Sequence, residues 1–196
     1  PMGVKYRRDA NLALGYIMVA IDRLSSEAIA GGADLVQTIG VINAEKSIND
    51  RDKRVYQNAT AKVSGFAYFN LDIRSAQSSF RRGYSERVLE TIRATALEFG
   101  VNASWSLISD TEPLETLDER VAEASMESAR ALGISACRMP SGALHDCLYL
   151  GQRRQTAGGQ VPIGMLFIPC LDGKSHCPEE FTSYESIAKG ASVLAG

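Results

Sequence analysis

The sequence predicts a mixed α/β chain, and two stretches of different pattern lead to that class. From Ala67 to Arg74 apolar and polar residues alternate, which predicts a strand with one buried face and one polar face. The run Ile163–Ile168 is uninterrupted and apolar, too short for a helix, and followed by Pro169, so it predicts a buried strand. Amphipathic segments with helical spacing flank both stretches, so helices and strands share the fold.

The first predicted domain covers residues 1–110 and alternates helices with strands. Its expected elements are a helix over 7–27, strands over 34–44 and 59–74, a polar connection over 75–83, a helix over 85–99 and a third strand over 101–108. Residues 45–58 are polar and charged, so a loop is expected there. This order suits an antiparallel sheet with helices on one face, a ferredoxin-like arrangement that lacks its first strand.

The second predicted domain, residues 111–196, follows a polar linker at 109–113 that ends in proline. Its expected elements are a helix over 117–132, an irregular segment over 136–147, a polar loop over 151–160, the strand over 163–168 and a helix over 183–194. Asp172 and Gly173 predict a turn after the strand. Thr182 and Glu185 have the spacing of a capping box, which predicts where the last helix begins.

Composition limits the class of protein. The chain has 196 residues, of which 45% are hydrophobic and 22% charged, and its net charge is −2. These values are typical of a globular protein, with no basic surface for nucleic acid and no apolar run of membrane-spanning length. The N-terminus lacks the apolar core of a signal peptide, and the four cysteines form no CxxC pair. A cytoplasmic protein with reduced thiols is therefore expected.

The two histidines are the main candidates for chemistry. His176 follows the predicted strand, at the edge where open α/β sheets bind ligands. In that position it could be a metal ligand, a general base or a structural group with satisfied hydrogen bonds. The segments His145-Asp146-Cys147 and His176-Cys177 could also form a zinc site, although their spacing matches no standard zinc finger, or supply a cysteine–histidine nucleophile pair.

Arg74 is the third candidate. It ends the alternating strand on its polar face, and Asp72 lies two residues earlier on the same face. A guanidinium in that position could bind a substrate carboxylate through two parallel hydrogen bonds, or it could form a salt bridge with Asp72. The alternating pattern is compatible with both roles.

Four segments resemble those of one enzyme family, in the order in which that family carries them. They are Pro1-Met-Gly-Val-Lys-Tyr-Arg-Arg-Asp-Ala, Phe69-Asn-Leu-Asp-Ile-Arg, Pro140-Ser-Gly-Ala-Leu-His-Asp and Asp172-Gly-Lys-Ser-His-Cys-Pro-Glu-Glu. The family is that of the metal-dependent amidases of hydantoinase/carbamoylase type, which includes N-carbamoyl-L-amino-acid hydrolase, β-ureidopropionase and allantoate amidohydrolase. The resemblance covers essentially the whole chain.

The resemblance implies a ferredoxin-like lid and dimerisation domain followed by the C-terminal part of a zinc-peptidase-like α/β catalytic domain. It also implies a dinuclear zinc or manganese site, a homodimer formed through the lid, and hydrolysis of a carbamoyl, ureido or related amide C–N bond in a small molecule. His176 resembles the last metal ligand of such enzymes. His145 resembles the histidine that binds substrate or stabilises the transition state, and Arg74 resembles the lid arginine that binds the substrate carboxylate.

The sequence departs from the family pattern in three respects. One metal ligand is too few for a catalytic zinc, which takes three protein ligands and water, so a partner segment or second chain carrying the N-terminal catalytic half is expected. Ala61 replaces the family's substrate-binding asparagine. Leu144 replaces a glycine, which adds bulk and disfavours a positive φ. The alternative is a non-catalytic dimerisation or binding module derived from the same family.

Overall fold

The computed structural model describes residues 3–43, 61–114, 118–152 and 162–196. The chain divides into two units, Pro1–Pro113 and Leu114–Gly196. The roles expected for the two domains, a lid and part of a catalytic domain, stay predictions. The loop expected over 45–58 and most of the one expected over 151–160 lie outside the described residues. Among the helices of the described ranges, each is too short or too polar to cross a lipid bilayer.

The described residues form five α-helices and two β-strands. Those of the first unit are α1 (Ala10–Ala30), β1 (Val36–Asn43), β2 (Tyr68–Arg74) and α2 (Ser78–Glu98). Those of the second unit are α3 (Glu119–Ala131), α4 (Asp146–Gln152) and α5 (Tyr184–Ala195). Short 3-10 turns occupy Val4–Tyr6 and Leu171–Gly173, and the second contains the turn predicted from the sequence.

β1 and β2 pair antiparallel, with Val36 opposite Arg74 and an irregularity between Ile39 and Val41. The predicted strand over 59–74 is too long, because β2 begins at Tyr68. Ser64 explains the difference. Its hydroxyl donates to the Phe66 carbonyl at 2.6 Å and its own carbonyl accepts the Ala10 amide at 3.0 Å, so this segment supports the start of α1.

The core of the first unit lies between its two helices and the inner face of the sheet. Its fully buried members come from α1, α2 and the residue before β1; they are Ile17, Ile21, Leu35, Tyr84, Val88 and Ala96. Phe69, Leu71 and Ile73 of β2 pack against them, which confirms the buried face predicted from the alternation. Burying such side chains stabilises a domain by about 1.5–3 kcal/mol each.

A chain of polar contacts crosses this core. The Tyr84 hydroxyl, on a side chain only 2% exposed, donates to Gln37 Oε1 at 2.8 Å. The Gln37 Nε2 group donates in turn to the Ile21 carbonyl at 3.1 Å. One side chain of β1 is therefore bonded to both helices, which satisfies the buried phenol that an apolar core would otherwise penalise.

The strand predicted over 101–108 is wrong, since the structure assigns no strand there. Val101 and Ala103 do pack against the core of the first unit, so the alternation reflects burial. Farther along, Leu107 and Ile108 are 77% and 80% exposed. The segment has the side-chain period of a strand and lacks ladder bonds to β1 or β2.

α2 begins at Ser78, seven residues before its predicted start. The polar side chains that suggested a connection instead bind the linker near the unit boundary. Ser78 donates to Glu112 at 2.5 Å, Arg81 pairs with Asp110 at 2.7 Å, and Arg82 pairs with Glu112. The Ser78 hydroxyl and the Arg82 guanidinium lower the pKa of Glu112, in that order of importance.

In the second unit, Ile163–Ile168 is not a strand, so that prediction is also wrong. Helices α3 and α5 approach the run closely at positions where a glycine has no side chain. A Cβ at Gly164 would overlap Val121 of α3, and one at Gly190 would overlap Ile168. Without a partner strand among the described residues the run forms no ladder, and three of its side chains stay 36–47% exposed: Leu166, Phe167 and Ile168.

The N-terminus of α5 is capped by Ser183, whose hydroxyl accepts the Ser186 amide at 3.1 Å. The sequence predicted Thr182 as the cap, one residue too early. The Thr182 hydroxyl instead donates to the Pro169 carbonyl at 3.1 Å, and the Leu171 amide donates to the Phe181 carbonyl at 2.8 Å. These bonds tie the start of α5 to the beginning of the loop that carries His176.

Candidate functional site

His176 lies on a loop with an unusually constrained backbone. Asp172 and Gly173 adopt φ values of 54° and 64°, and His176 itself has φ of 56°. Non-glycine residues rarely occupy this left-handed region, although histidine is among those enriched in it. The His176 amide donates to Glu180 Oε2 at 2.9 Å, and the Cys170 thiol donates to the Lys174 carbonyl at 3.1 Å. The loop is thus fixed by its own contacts.

The His176 side chain is exposed, and its ring meets no hydrogen-bonding group of the described residues. The bond that the residue makes comes from its backbone amide and the carboxylate of Glu180. Among the described residues the imidazole is therefore open to a ligand, and a metal would bind through one of its two nitrogens.

His145 is half-buried and lies immediately before α4. Its Nε2 is 2.8 Å from the Ser141 hydroxyl oxygen, which also accepts the Ala143 amide at 3.2 Å. On its other side the ring meets Phe167, with centroids 5.6 Å apart and the rings inclined by 63°. The sequence singled out His145, while Ser141 and Phe167 were not recognised, because neither stands at a spacing that predicts contact with it.

Leu144 precedes this histidine and is 54% exposed. Its backbone does not adopt a positive φ, since Asp172 and His176 are the non-glycine residues of the described chain that do. The substitution of leucine for the family's glycine therefore produces no backbone strain here. What it adds is an apolar side chain next to His145.

Arg74 forms the salt bridge that was one of its two predicted roles. Its Nε donates to Asp72 Oδ2 at 2.5 Å, and the side chains are 43% and 49% exposed. Exposed pairs of this kind contribute about 0–1 kcal/mol to stability, so the contact is easily exchanged for another. Arg74 belongs to the first unit, whereas both histidines belong to the second.

The donor set of the described residues does not form a complete metal centre. No three histidine, cysteine, aspartate or glutamate side chains within 3–43, 61–114, 118–152 and 162–196 converge on one point. The hypothesis of a new zinc site built from His145, Cys147, His176 and Cys177 is therefore wrong, since all four residues are described. His176 fits a metal as a single ligand, and a catalytic centre needs further donors.

The cysteines show no sign of nucleophilic activation. All four are free thiols. Cys147 points toward the Gly164 carbonyl at 4.0 Å, and Cys170 is bonded to a backbone carbonyl. The imidazole contacts within the described residues are Ser141 and Phe167, so a cysteine–histidine pair is not formed.

Comparison with known proteins identifies the fold and the family. The model of peptidase family M20/M25/M40 matches residues 15–196. Ureidoglycolate hydrolase of Arabidopsis thaliana is 29% identical over 97% of this chain and 36% of its own length. Allantoate amidohydrolase of Escherichia coli is 29% identical over 100% of this chain and 42% of its own length. The crystal structure of AtUAH in complex with glyoxylate superposes with a TM-score of 0.82 at 27% identity, covering 99% of this chain and 41% of that chain.

The chain spans about two fifths of the length of these relatives. N-carbamoyl-L-amino-acid amidohydrolase of Paenarthrobacter aurescens matches in the same way, at 28% identity over 96% of this chain. These matches confirm the resemblance seen in the sequence, and the structural neighbours confirm the α/β fold class. The chain belongs to the peptidase family M20/M25/M40.

Proposed function

We propose that this chain is part of a metal-dependent amidohydrolase that cleaves the C–N bond of a ureido or carbamoyl group in a small molecule. Relatives named for ureidoglycolate, allantoate and N-carbamoyl amino acids support this class of substrate. The observation that carries the proposal is the exposed imidazole of His176, which has no partner among the described residues and lies on a loop fixed by its own hydrogen bonds.

In this proposal His176 binds one ion of a dinuclear zinc or manganese site. The metal, when bound, supplies Lewis-acid polarisation of the substrate carbonyl and an activated water. The remaining ligands come from residues beyond those that the structure describes, carried by a partner segment or a second chain. The exposed apolar side chains of Leu166, Phe167 and Ile168 support such a partner, because soluble proteins rarely leave a contiguous apolar run uncovered.

Two further residues have roles in the proposed reaction. His145 donates a hydrogen bond to the substrate where negative charge develops during attack. Arg74 binds the substrate carboxylate, exchanging the Asp72 carboxylate for that of the ligand. The proposed assembly is a cytoplasmic homodimer formed through residues 1–110.

The proposal is tested first by native mass spectrometry and metal analysis of the protein as isolated from its source. A second polypeptide together with bound zinc or manganese is expected. The same sample should hydrolyse N-carbamoyl amino acids or ureido acids and leave dipeptides intact. A metal-free homodimer of this chain without hydrolytic activity would contradict the proposal.

The role of His176 is tested in the assembled enzyme with His176→Ala. Loss of bound metal and of activity is expected, because a protein ligand of the metal ion is removed. Lys174→Ala is the matched control, since Lys174 lies on the same loop and its contacts are made by its backbone. His176→Asn tests the backbone separately, because asparagine tolerates the left-handed conformation. Unchanged metal content in both His176 variants would refute the ligand role.

A non-catalytic dimerisation or binding module is the second candidate. Ala61 favours it, because a methyl group cannot replace the hydrogen bonds of the asparagine that the family carries at this position. A module of this kind would be isolated as a metal-free dimer that binds small carboxylates through Arg74. Turnover of any ureido substrate by the isolated protein would exclude it.

A further inference from the structure

Ser141 and His145 lie on one tight turn, and their contact determines which end of the imidazole faces a ligand. The Ser141 hydroxyl oxygen accepts the Ala143 amide at 3.2 Å and lies 2.8 Å from His145 Nε2. Phe167 packs edge-on against the same ring. Nε2 is thus hydrogen-bonded to Ser141, whereas Nδ1 meets no hydrogen-bonding group among the described residues.

The position of one proton decides what Nδ1 can do. A neutral imidazole carries one N–H and one bare nitrogen, and a hydroxyl has one proton and two lone pairs. If Ser141 donates to Nε2, the imidazole proton is on Nδ1, which is then a donor. If Nε2 donates to Ser141, Nδ1 is a bare acceptor. Only the first arrangement lets His145 stabilise developing negative charge.

We propose that Ser141 is a positioning residue that donates to Nε2 and holds His145 as the Nδ1–H tautomer. The backbone contact supports this direction, because a hydroxyl oxygen that already accepts an amide proton becomes a better donor. The function of this tautomer rests on the proposed role of His145 in hydrolysis, whereas the tautomer itself is a property of the turn. Ser141 acts through the imidazole and does not touch the substrate.

The tautomer is measured by long-range proton–nitrogen correlation spectroscopy on histidine labelled with a nitrogen isotope, at a pH where the ring is neutral. The chain has two histidines, so His176→Asn assigns the two signals. Wild-type protein should show the Nδ1–H pattern at His145, although free histidine in water favours Nε2–H. Ser141→Ala should restore the solution mixture, and Ser141→Thr, which keeps the hydroxyl, should retain the wild-type pattern. The signal of His176 is the internal control and should not change.

In the assembled enzyme, Ser141→Ala should lower kcat about tenfold with little change in KM, as expected for the loss of one hydrogen bond. Ser141→Thr should restore most of that loss. An Nε2–H pattern in the wild type, or an Nδ1–H pattern that persists in Ser141→Ala, would overturn the proposal. If the protein shows the expected tautomers and hydrolyses no ureido or carbamoyl substrate, the proposed function fails and the role of Ser141 on the turn stands.

Discussion

The close approach of α5 to the run Ile163–Ile168 makes a prediction about Gly190 that can be worked out from the structure. A Cβ at this position would overlap the Cγ2 methyl of Ile168 and would lie 3.8 Å from the Cβ of the same residue. Overpacking of this kind costs about 1–3 kcal/mol. Glycine in a helix interior is itself less favourable than alanine by about 1 kcal/mol. Gly190→Ala should therefore lower the free energy of unfolding by up to about 2 kcal/mol.

The clash depends on the Cγ2 methyl of Ile168, so a substitution at Ile168 can remove the clash. Leucine at position 168 keeps the side-chain volume of isoleucine and lacks the branch at Cβ. In an Ile168→Leu background, Gly190→Ala should lose its cost and raise the free energy of unfolding by up to about 1 kcal/mol, the helix-propensity gain alone. The change of sign between the two backgrounds is the coupling that a double-mutant cycle measures.

The assay combines urea denaturation, followed by far-UV circular dichroism, with amide hydrogen exchange of peptides from α5. Exchange is needed because the two units need not unfold together. Gly83→Ala in α2 is the control, since a Cβ there meets nothing within 4 Å and should stabilise the first unit. An equal stabilisation by Gly190→Ala in both backgrounds would refute the close approach of α5 to Ile168.

Two further predictions concern the first unit. Arg74→Ala should raise KM for a carboxylate substrate about ten- to a hundredfold, because charged hydrogen bonds to the substrate are lost. Asp72→Ala, which removes only the salt-bridge partner, is the control. A large fall in the melting temperature of Arg74→Ala would show that Arg74 is structural instead. Burial raises the pKa of Tyr84 above its ordinary value of 10.0, so the unfolded chain loses this proton first as pH rises. The stability that the protonated phenol provides is complete below that value and falls above it, and this alkaline fall should be smaller in Tyr84→Phe; equal slopes in urea denaturation against pH would contradict the assignment.

Much of the fold follows from side-chain periodicity. The apolar faces of α1 and α2 and the alternation of β2 appear in the sequence because the core is built from those faces. The segments 101–108 and 163–168 were predicted as strands, and neither is one. An apolar or alternating pattern reports what a segment buries, while a strand also needs a neighbour to share its backbone hydrogen bonds. That neighbour is not encoded in the segment itself.

The predicted boundaries of helices were wrong where their side chains have partners outside the helix. The start of α2 looked like a polar connection because Ser78, Arg81 and Arg82 are hydrophilic, and their partners Asp110 and Glu112 lie in the linker. The cap of α5 was misplaced because Thr182 and Ser183 are both good caps, and only tertiary contacts assign Thr182 to Pro169.

The roles of the candidate site residues stay predictions, and several of their contacts are not visible in the sequence. Rarity and position in the predicted elements mark His145, His176 and Arg74 as candidates, and the family resemblance supplies their expected roles. The contact of Ser141 with His145 depends on the shape of a turn, for which the intervening Gly142 gives only a weak signal. The left-handed backbone of His176 is likewise imposed by its loop and not by its own residue type.

The hydrogen bonds of Gln37 also affect the register in which β1 and β2 of the first unit pair. A slip of one residue along β1 would turn Gln37 to the opposite face, leaving the Tyr84 phenol and the Ile21 carbonyl without their partners. The same slip would turn the apolar face outward, whereas a slip of two residues keeps that face inward and replaces one aliphatic residue by another at modest cost. An amide that must donate to one helix and accept from the other can fit in a single position. Gln37 therefore helps to fix the register in which β1 pairs with β2.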